Sequence, residues 1–503
     1  MYIGVDCGTQ STKVVVLEPE RLRILGEGTS PHSMISGDNG RREQQPQWWI
    51  DAFEAAFARA LEDAGVSAGD VRAIGVSGQQ HGMVALDASG VPVYPGKLWC
   101  DTESHRENAA LTEALGGEQG CLDTLGVALQ TGYTASKISW LRKHHRDAFD
   151  RIATFLLPHD YLNFYLTGER VAEYGDASGT GYFDTRTRRW HEQAFSIIAP
   201  ELDPGRVLPR LIGPDEPAGT VRREVAQRLG LREGVIVSSG GGDNMMGAIG
   251  TGNIAPGTVT LSLGTSGTVY ASSDRPAISD DGLVANFCSS HGGWLPLICT
   301  MNVTSATTQV RELLGLDLDA FTAHAQHASI GAGGITVLPF FNGERVPALP
   351  KATGSLLGLS SYNFTAGNLC RAVMEGATFG LRFGFDLLGE LTAKPERVRL
   401  IGGGAKSAVW RQMVADVMNV ELACPTVAEA AALGAALQSA WCERRQQGEA
   451  CTLEALCHQS VQLETDTVTR PQLEDVTRYE EVYTHYLDTL ENCYPEYFSA
   501  RRK

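Results

Sequence analysis

The sequence is short of everything that marks a secreted, membrane-embedded or nucleic-acid-bound protein. Its eleven cysteines stand singly, with no Cys-x-x-Cys pair and no histidine cluster at zinc spacing. That argues against a disulfide framework or zinc finger and reads as reduced, mostly buried thiols. No apolar run is long enough to span a bilayer. Positive charge is in deficit, 42 Lys and Arg against 59 Asp and Glu, for a formal charge of −17. A general nucleic-acid or anionic-membrane partner is therefore not expected. A P-loop is missing too, because Gly96-Lys97 is followed by Leu98 where Ser or Thr is required. The first residues, Met1-Tyr2-Ile3-Gly4-Val5-Asp6, already read as a strand and leave no room for a signal peptide. The expected setting is cytoplasmic.

What is present is an ordinary globular composition, 43% hydrophobic and 20% charged, over 503 residues. That length implies two to three domains. Fifty-six glycines predict many tight turns or ligand loops. In Val235-Ile-Val-Ser-Ser-Gly-Gly-Gly-Asp-Asn-Met-Met-Gly-Ala-Ile-Gly250, a β-branched run meets three glycines, then Asp243 and Asn244, then a small-sided apolar segment. The order predicts strand, bare loop, carboxylate and helix start. On this segment alone, a helix cap is the commoner use of Asp243.

Two further stretches change that weighting. Tyr2–Cys7 and Thr12–Leu17 are β-rich runs joined by Gly8-Thr9-Gln10-Ser11, and Val259 to Val269 repeats the layout around Gly264-Thr265-Ser266. Gly-Thr turns expose N–H groups and hydroxyls in one concavity, which suits an anion. Asp6, just before the first turn, is suited to a cation or its water shell. A repeat half a chain apart predicts two similar domains, each offering one phosphate hairpin. The expected division is 1–249 and 250–503, with a hinge near 245–255.

Paired strand-Gly-Thr-strand hairpins with an aspartate on the first resemble the actin-like ATPase superfamily, and more narrowly the FGGY carbohydrate kinases. The resemblance implies two ribonuclease-H-like α/β domains with an inter-domain cleft, and ATP and Mg²⁺ as cofactors. It makes Asp243 the general base for the hydroxyl being phosphorylated, with Asn244 orienting the sugar. The loop Ser77-Gly-Gln-Gln-His-Gly-Met83 resembles the segment with which the family's xylulose-phosphorylating members contact the sugar, which nominates Gln80 and His81. Leu98-Trp99-Cys100-Asp101 resembles the Trp-x-Asp segment that makes Asp101 a sugar ligand, although Thr102-Glu103-Ser104 stands where relatives carry an Arg. Tyr133–Leu141 and Leu157–Leu162 also resemble that branch, as scaffold or site. For ATP the candidates are Gly8, Thr9, Ser11, Thr12, Lys13, Gly264, Thr265, Gly403, Gly404, Lys406 and Ser407, with Asp6 holding Mg²⁺ through water.

The activity implied is ATP-dependent phosphorylation of D-xylulose to D-xylulose 5-phosphate, with a small-molecule sugar and ATP as partners. A sibling kinase for another ketose or polyol such as ribulose, and an actin-like ATPase switch without sugar chemistry, are the alternatives. Self-association as a homodimer is left open. Elsewhere, Gln47–Ala64 has apolar residues at helical spacing. The strand Leu400-Ile401 runs into Gly402-Gly403-Gly404 and a helix from about Ala408, whose free N–H groups suit a phosphate. Glu344 and Arg345 are expected to form an ion pair. The segment Glu429–Leu437 is so small-sided that it must pack tightly, and 478–503 reads as a docking helix.

Overall fold

A central strand flanked on both sides by pairing partners organises each half of the protein. The computed structural model describes residues 1–501, which fall into two units by their internal contacts. The first comprises Met1–Ala255, Ser273–Leu295 and Glu429–Gln462. In it β1 (Tyr2–Cys7) pairs antiparallel with β2 (Ser11–Leu17), closing on Cys7 opposite Thr12. β2 continues the sheet to β3 (Ile24–Pro31). On the other side β1 pairs in parallel with β4 (Ala73–Gly78). The sheet then runs on to β6 (Ile236–Ser238) and β5 (Pro217–Thr220), while the short β7 (Gly241–Gly242) also lies along β4.

Helix α1 (Pro46–Ala64) covers one face of this sheet. Pro46 suits its first position, and Gly65, at φ 64°, ends it in the left-handed conformation. Its apolar stripe of Trp49, Ile50, Phe53, Ala56, Phe57, Ala60 and Leu61 is buried. Each large side chain there stabilises the fold by about 1.5–3 kcal/mol. Gly26 and Gly28 on β3 let the helix approach: a Cβ at Gly28 would lie 2.0 Å from the Ala56 carbonyl oxygen. Two more helices matter below, α2 (Thr134–His144) and α3 (Pro158–Thr167). The predicted base segment is realised as β6, β7 and then α4 (Asp243–Gly250).

The second unit comprises Pro256–Ser272, Pro296–Ala428 and Leu463–Lys503. It repeats the motif. β8 (Thr258–Leu263) pairs antiparallel with β9 (Gly267–Ala271) and in parallel with β11 (Arg397–Ile401), as β1 does with β2 and β4. β10 (Trp294–Thr300) borders β9, and β12 (Glu421–Ala423) borders β11. The repeat expected from Gly8 and Gly264 is thus visible as topology. Helix α5 (Ala366–Leu391) starts where Thr365 accepts the Asn368 N–H at 3.2 Å. Helix α6 (Ala408–Met418) starts at the predicted residue.

The predicted Glu344–Arg345 ion pair is not formed among the described residues. Glu344 instead turns inward to accept from Met301 N–H at 2.6 Å and Asn302 Nδ2 at 3.0 Å, which pair a carboxylate that the Arg345 side chain does not reach.

The chain then returns to the first unit with α7 (Ala430–Gln446). The small-sided stretch packs on β1, β4 and α4, backbone against backbone. A Cβ at Gly4 would lie 1.9 Å from Ala432 O, at Gly75 2.0 Å from Ala435 O, and at Gly250 1.8 Å from Ala430 O. The predicted hinge segment therefore includes residues packed without room for a methyl group. The tail, α8 (Leu473–Cys493), begins earlier than predicted and stops before Pro495, where a short helix to Arg501 follows. Residues 502–503 of the predicted docking helix lie outside the described residues. Its Tyr479, Tyr483 and Tyr486 pack around Phe379, ring centroids 6.2, 5.6 and 5.3 Å away.

Candidate active site

Two loops and the first turn of α4 leave the carboxyl ends of β1, β4 and β7, strands held in parallel register with Asp6 opposite Ser77 and Ser77 opposite Gly241. Ligands in open α/β sheets bind at such strand ends. The register brings Asp6, Gln80, His81, Asp243 and Asn244 into one neighbourhood of the first unit. Ser77 Oγ donates to Asp6 Oδ1 at 2.9 Å. Asn244 Nδ2 donates to Gln80 Oε1 at 2.7 Å and to Asp243 Oδ1 at 3.0 Å, and the Asn244 N–H reaches the same Asp243 oxygen at 2.7 Å. Gln80 Nε2 is buried with no acceptor among the described residues. An unpartnered buried donor is costly, so it points to a polar ligand. Glycine is required beside it, since a Cβ at Gly242 would lie 2.6 Å from Gln80 Cγ.

The two carboxylates carry the electrostatics. Burial raises Asp6 to about 6 in spite of the Ser77 hydrogen bond and the Lys13 charge. Enclosure first, and the charge of Asp6 second, raise Asp243 to about 7. Asp243 is the first residue of α4 rather than its cap, which is Gly242. Lys13 is ion-paired with Glu429 at 2.5 Å, so it does not neutralise the pair outright. A site with two neighbouring carboxylates, both disfavoured as anions, suits a bound cation.

His81 is held from three directions. Its φ of 63° is uncommon for a residue with a side chain. Its carbonyl accepts from Lys137 Nζ at 2.8 Å and Thr134 Oγ1 at 3.2 Å, both on α2. Its ring packs on Tyr133 and Phe287, centroids 4.7 and 5.6 Å away. Gly179 makes room for that ring, because a Cβ there would lie 1.9 Å from His81 Nδ1. Lys137 is buried, which lowers its ammonium to about 7, and it also donates to Gly132 O. Sequence reasoning left Lys137 unassigned. The available signal was a lysine standing among Ala135, Ile138 and Trp140 in a helix whose first half is buried.

Asp101, the remaining expected sugar ligand, is engaged by groups of the protein itself. It is fully buried, and Lys97 Nζ lies 3.0 Å from its Oδ2, 3.0 Å from Glu43 and 2.7 Å from Glu103. The backbone N–H groups of Arg42 and Glu103 take its two oxygens at 2.8 and 3.1 Å. These three carboxylates have metal-like spacing, but the Lys97 ammonium fills the space between them. Asp101 is occupied in balancing a buried charge.

The nucleotide candidates divide between the units. In the first hairpin the Gly8 N–H closes onto Ser11 O at 3.1 Å. Thr12 is fully buried on the face it shares with Cys7. The Thr9 hydroxyl is engaged by Gln79 and Trp99. In the second unit, Gly264 O and Thr265 O accept N–H groups from Thr304 and Val303 at 3.0 and 3.3 Å. Gly402, at φ 91°, crosses this turn so closely that a Cβ would lie 3.0 Å from Gly264 N. That contact gathers Gly264, Thr265, Gly403 and the exposed Lys406. Gly404 packs on Leu263 and Trp410. Ser407 caps α6 by accepting the Trp410 N–H at 3.3 Å.

Comparison with known proteins shows the family. Residues 1–250 match the N-terminal domain, and residues 259–442 the C-terminal domain, of the FGGY family of carbohydrate kinases. The chain is 51% identical over 498 residues to a xylulose kinase of Haemophilus influenzae, covering 98% of this chain and 100% of that protein. It is 31% identical to the xylulose kinase structure from Bifidobacterium adolescentis, with a TM-score of 0.81 over 95% of this chain and 98% of that one. A Brucella ovis structure described as a xyloylose kinase shares 29% identity and a TM-score of 0.89, over 99% of both chains. The structure shares the two-domain actin-like ATPase fold of these sugar kinases. With both family domains matched in order, the chain belongs to the FGGY family of carbohydrate kinases.

Proposed function

We propose that the protein phosphorylates D-xylulose to D-xylulose 5-phosphate at the expense of ATP, with Asp243 as general base. The observation that carries the chemistry is the placement of Asp243, raised to about 7, beside Asp6, Asn244 and the Gln80–His81 loop. A base poised near neutrality is ionised often enough to act and basic enough to accept a proton. The substrate follows from the xylulose kinases to which the chain is similar. Gln80 Nε2 and His81 bind the ketose, and Asn244 orients both Gln80 and the base. The sugar hydroxyl oxygen attacks the γ-phosphorus and the bond to the ADP oxygen breaks. The hydroxyl proton passes to Asp243.

Asp6 would hold Mg²⁺ through water, and that ion, when bound, neutralises phosphate charge. The first unit offers the nucleotide the Gly8–Ser11 turn and Lys13. The second offers Gly264, Thr265, Gly403 and Lys406. Eleven free cysteines, most of them buried, support a reducing, cytoplasmic setting.

The test is coupled ADP release from MgATP with D-xylulose, D- and L-ribulose, glycerol, gluconate or no sugar. Selective stimulation by D-xylulose is expected. A different preferred sugar overturns the role of the His81 loop while keeping the base. Sugar-independent hydrolysis overturns the kinase reading itself.

A further inference from the structure

Between the ketose loop and the first phosphate turn lies a chain of hydrogen bonds, buried at its Gln44 end and partly exposed at Thr9, that the phosphoryl-transfer chemistry does not use. Its direction is fixed by two indoles, which can only donate. Trp49 Nε1 donates to Gln44 Oε1 at 2.9 Å, so the Gln44 amide group must face the other way. There it donates to Thr9 O at 2.8 Å and Ser33 O at 2.9 Å. The same Gln44 Oε1 accepts from Gln79 Nε2 at 3.0 Å, which turns Gln79 Oε1 toward Thr9. Thr9 Oγ1 lies 3.2 Å from Gln79 Oε1 and accepts from Trp99 Nε1 at 3.0 Å. The Thr9 hydroxyl hydrogen therefore points at Gln79 and is not offered to a phosphate. Gln44 and Gln79 are both buried. The Gln79 backbone N–H also donates to Cys7 O at 2.9 Å, at the end of the strand that carries Asp6.

We propose that Gln79 is a positioning residue that locks the Gly8–Ser11 turn to the Gln80–His81 loop, so that phosphate and ketose meet in register. The proposal rests on the kinase reading above. Gln79 holds the turn through Thr9 with its side chain and holds β1 with its backbone, and the next two residues are the ketose contacts. Sliding the loop against the turn breaks the Thr9–Gln79 bond and, with it, the buried Gln79–Gln44 bond that sets its direction. Misalignment of reacting groups by about 1 Å costs on the order of 10²-fold in rate. The effect belongs to turnover, because neither partner's own contacts include the Gln79 side chain.

The experiment compares Gln79→Ala, Thr9→Val and the double variant with the wild type. It reads kcat with D-xylulose and MgATP, and the Kd of D-xylulose and of ADP measured separately by calorimetry. Gln79→Ala should lower kcat about 10–100-fold while each Kd changes less than about threefold. Thr9→Val should do the same, and the double variant should fall by much less than the product of the two losses, because both single changes cut the same Thr9–Gln79 link. Additive losses, a fall confined to affinity, or near-normal kcat in either variant overturns the proposal. Thr9 lies in a half-exposed turn, so Thr9→Val decides the matter alone if Gln79→Ala does not fold. Absence of ketose-stimulated turnover in the wild type would overturn the kinase reading instead, and it is read before any variant.

Discussion

Asp243→Asn should yield a protein that is more stable than the wild type and nearly inactive, and both effects follow from the surroundings of one carboxyl group. Enclosure, then the charge of Asp6, raise Asp243 to about 7. In an unfolded chain an aspartate titrates near about 3.9. Below about pH 4 the group is protonated in both states and contributes nothing. Between about pH 4 and 7 the unfolded chain is ionised while the folded one keeps its proton, so stability falls as pH rises. Above about pH 7 the loss is complete. About three pKa units correspond to about 4 kcal/mol at full value. Asp243 keeps some contact with solvent, and screening reduces this to about 1–2 kcal/mol. Asparagine carries no charge and escapes the penalty. Urea unfolding in EDTA should therefore show the variant about 1–2 kcal/mol more stable at pH 8 and level with the wild type at pH 4. Its kcat should fall about 10²–10⁴-fold, the range for losing a general base, with D-xylulose and ADP still bound. A variant no more stable than the wild type at pH 8, or one turning over within tenfold of it, refutes the reasoning.

Three further outcomes are expected. The charge of Asp6 helps to raise Asp243, so Asp6→Asn should move the acid limb of the kcat/KM profile to lower pH, as well as weakening the response to Mg²⁺; an unmoved limb counts against the pairing. Lys137→Met removes a donor from the His81 carbonyl and should raise the KM for D-xylulose about tenfold, leaving that for MgATP within about threefold. Gly179→Ala places a methyl 1.9 Å from the His81 ring. It should cost about 1–3 kcal/mol of stability, seen in thermal unfolding, and abolish most ketose turnover.

Local features were the legible ones. Gly-Thr turns between β-branched runs announce hairpins, and three glycines before a carboxylate announce an acid at a helix start beyond a strand. Both signals lie within a few residues, where backbone conformation is decided. What escaped were tasks assigned by distant partners. Lys97 and Glu103 lie beside Asp101 in the chain, but nothing there shows that Glu43, far back in the sequence, converges with them. Thr12 opens the second run beside the turn, and only its pairing with Cys7 shows that it is turned inward. Thr9 reads as a phosphate ligand until Gln79 and Trp99 are found on its hydroxyl. Side-chain polarity in a turn says that a group needs a partner, and tertiary structure alone says which.

The same division explains α7. Its alanines and glycine announce a close neighbour without naming it, because a small residue fits any backbone that comes near. The neighbour is named by matching vacancies on other segments: Gly4 on β1, Gly75 on β4 and Gly250 on α4, each with no space for a Cβ beside α7. Gly434 completes the set, since a Cβ there would lie 1.9 Å from Met246 O. A helix late in the sequence is thereby wedged behind both β1, which carries Asp6, and α4, which begins at Asp243. Both carboxylates are fixed to one support, and backbone packed on backbone leaves no soft side chain to yield between them. Close-packed contacts of that kind transmit strain instead of absorbing it, which is how a like-charged pair is kept close enough for Asp6 to raise its partner.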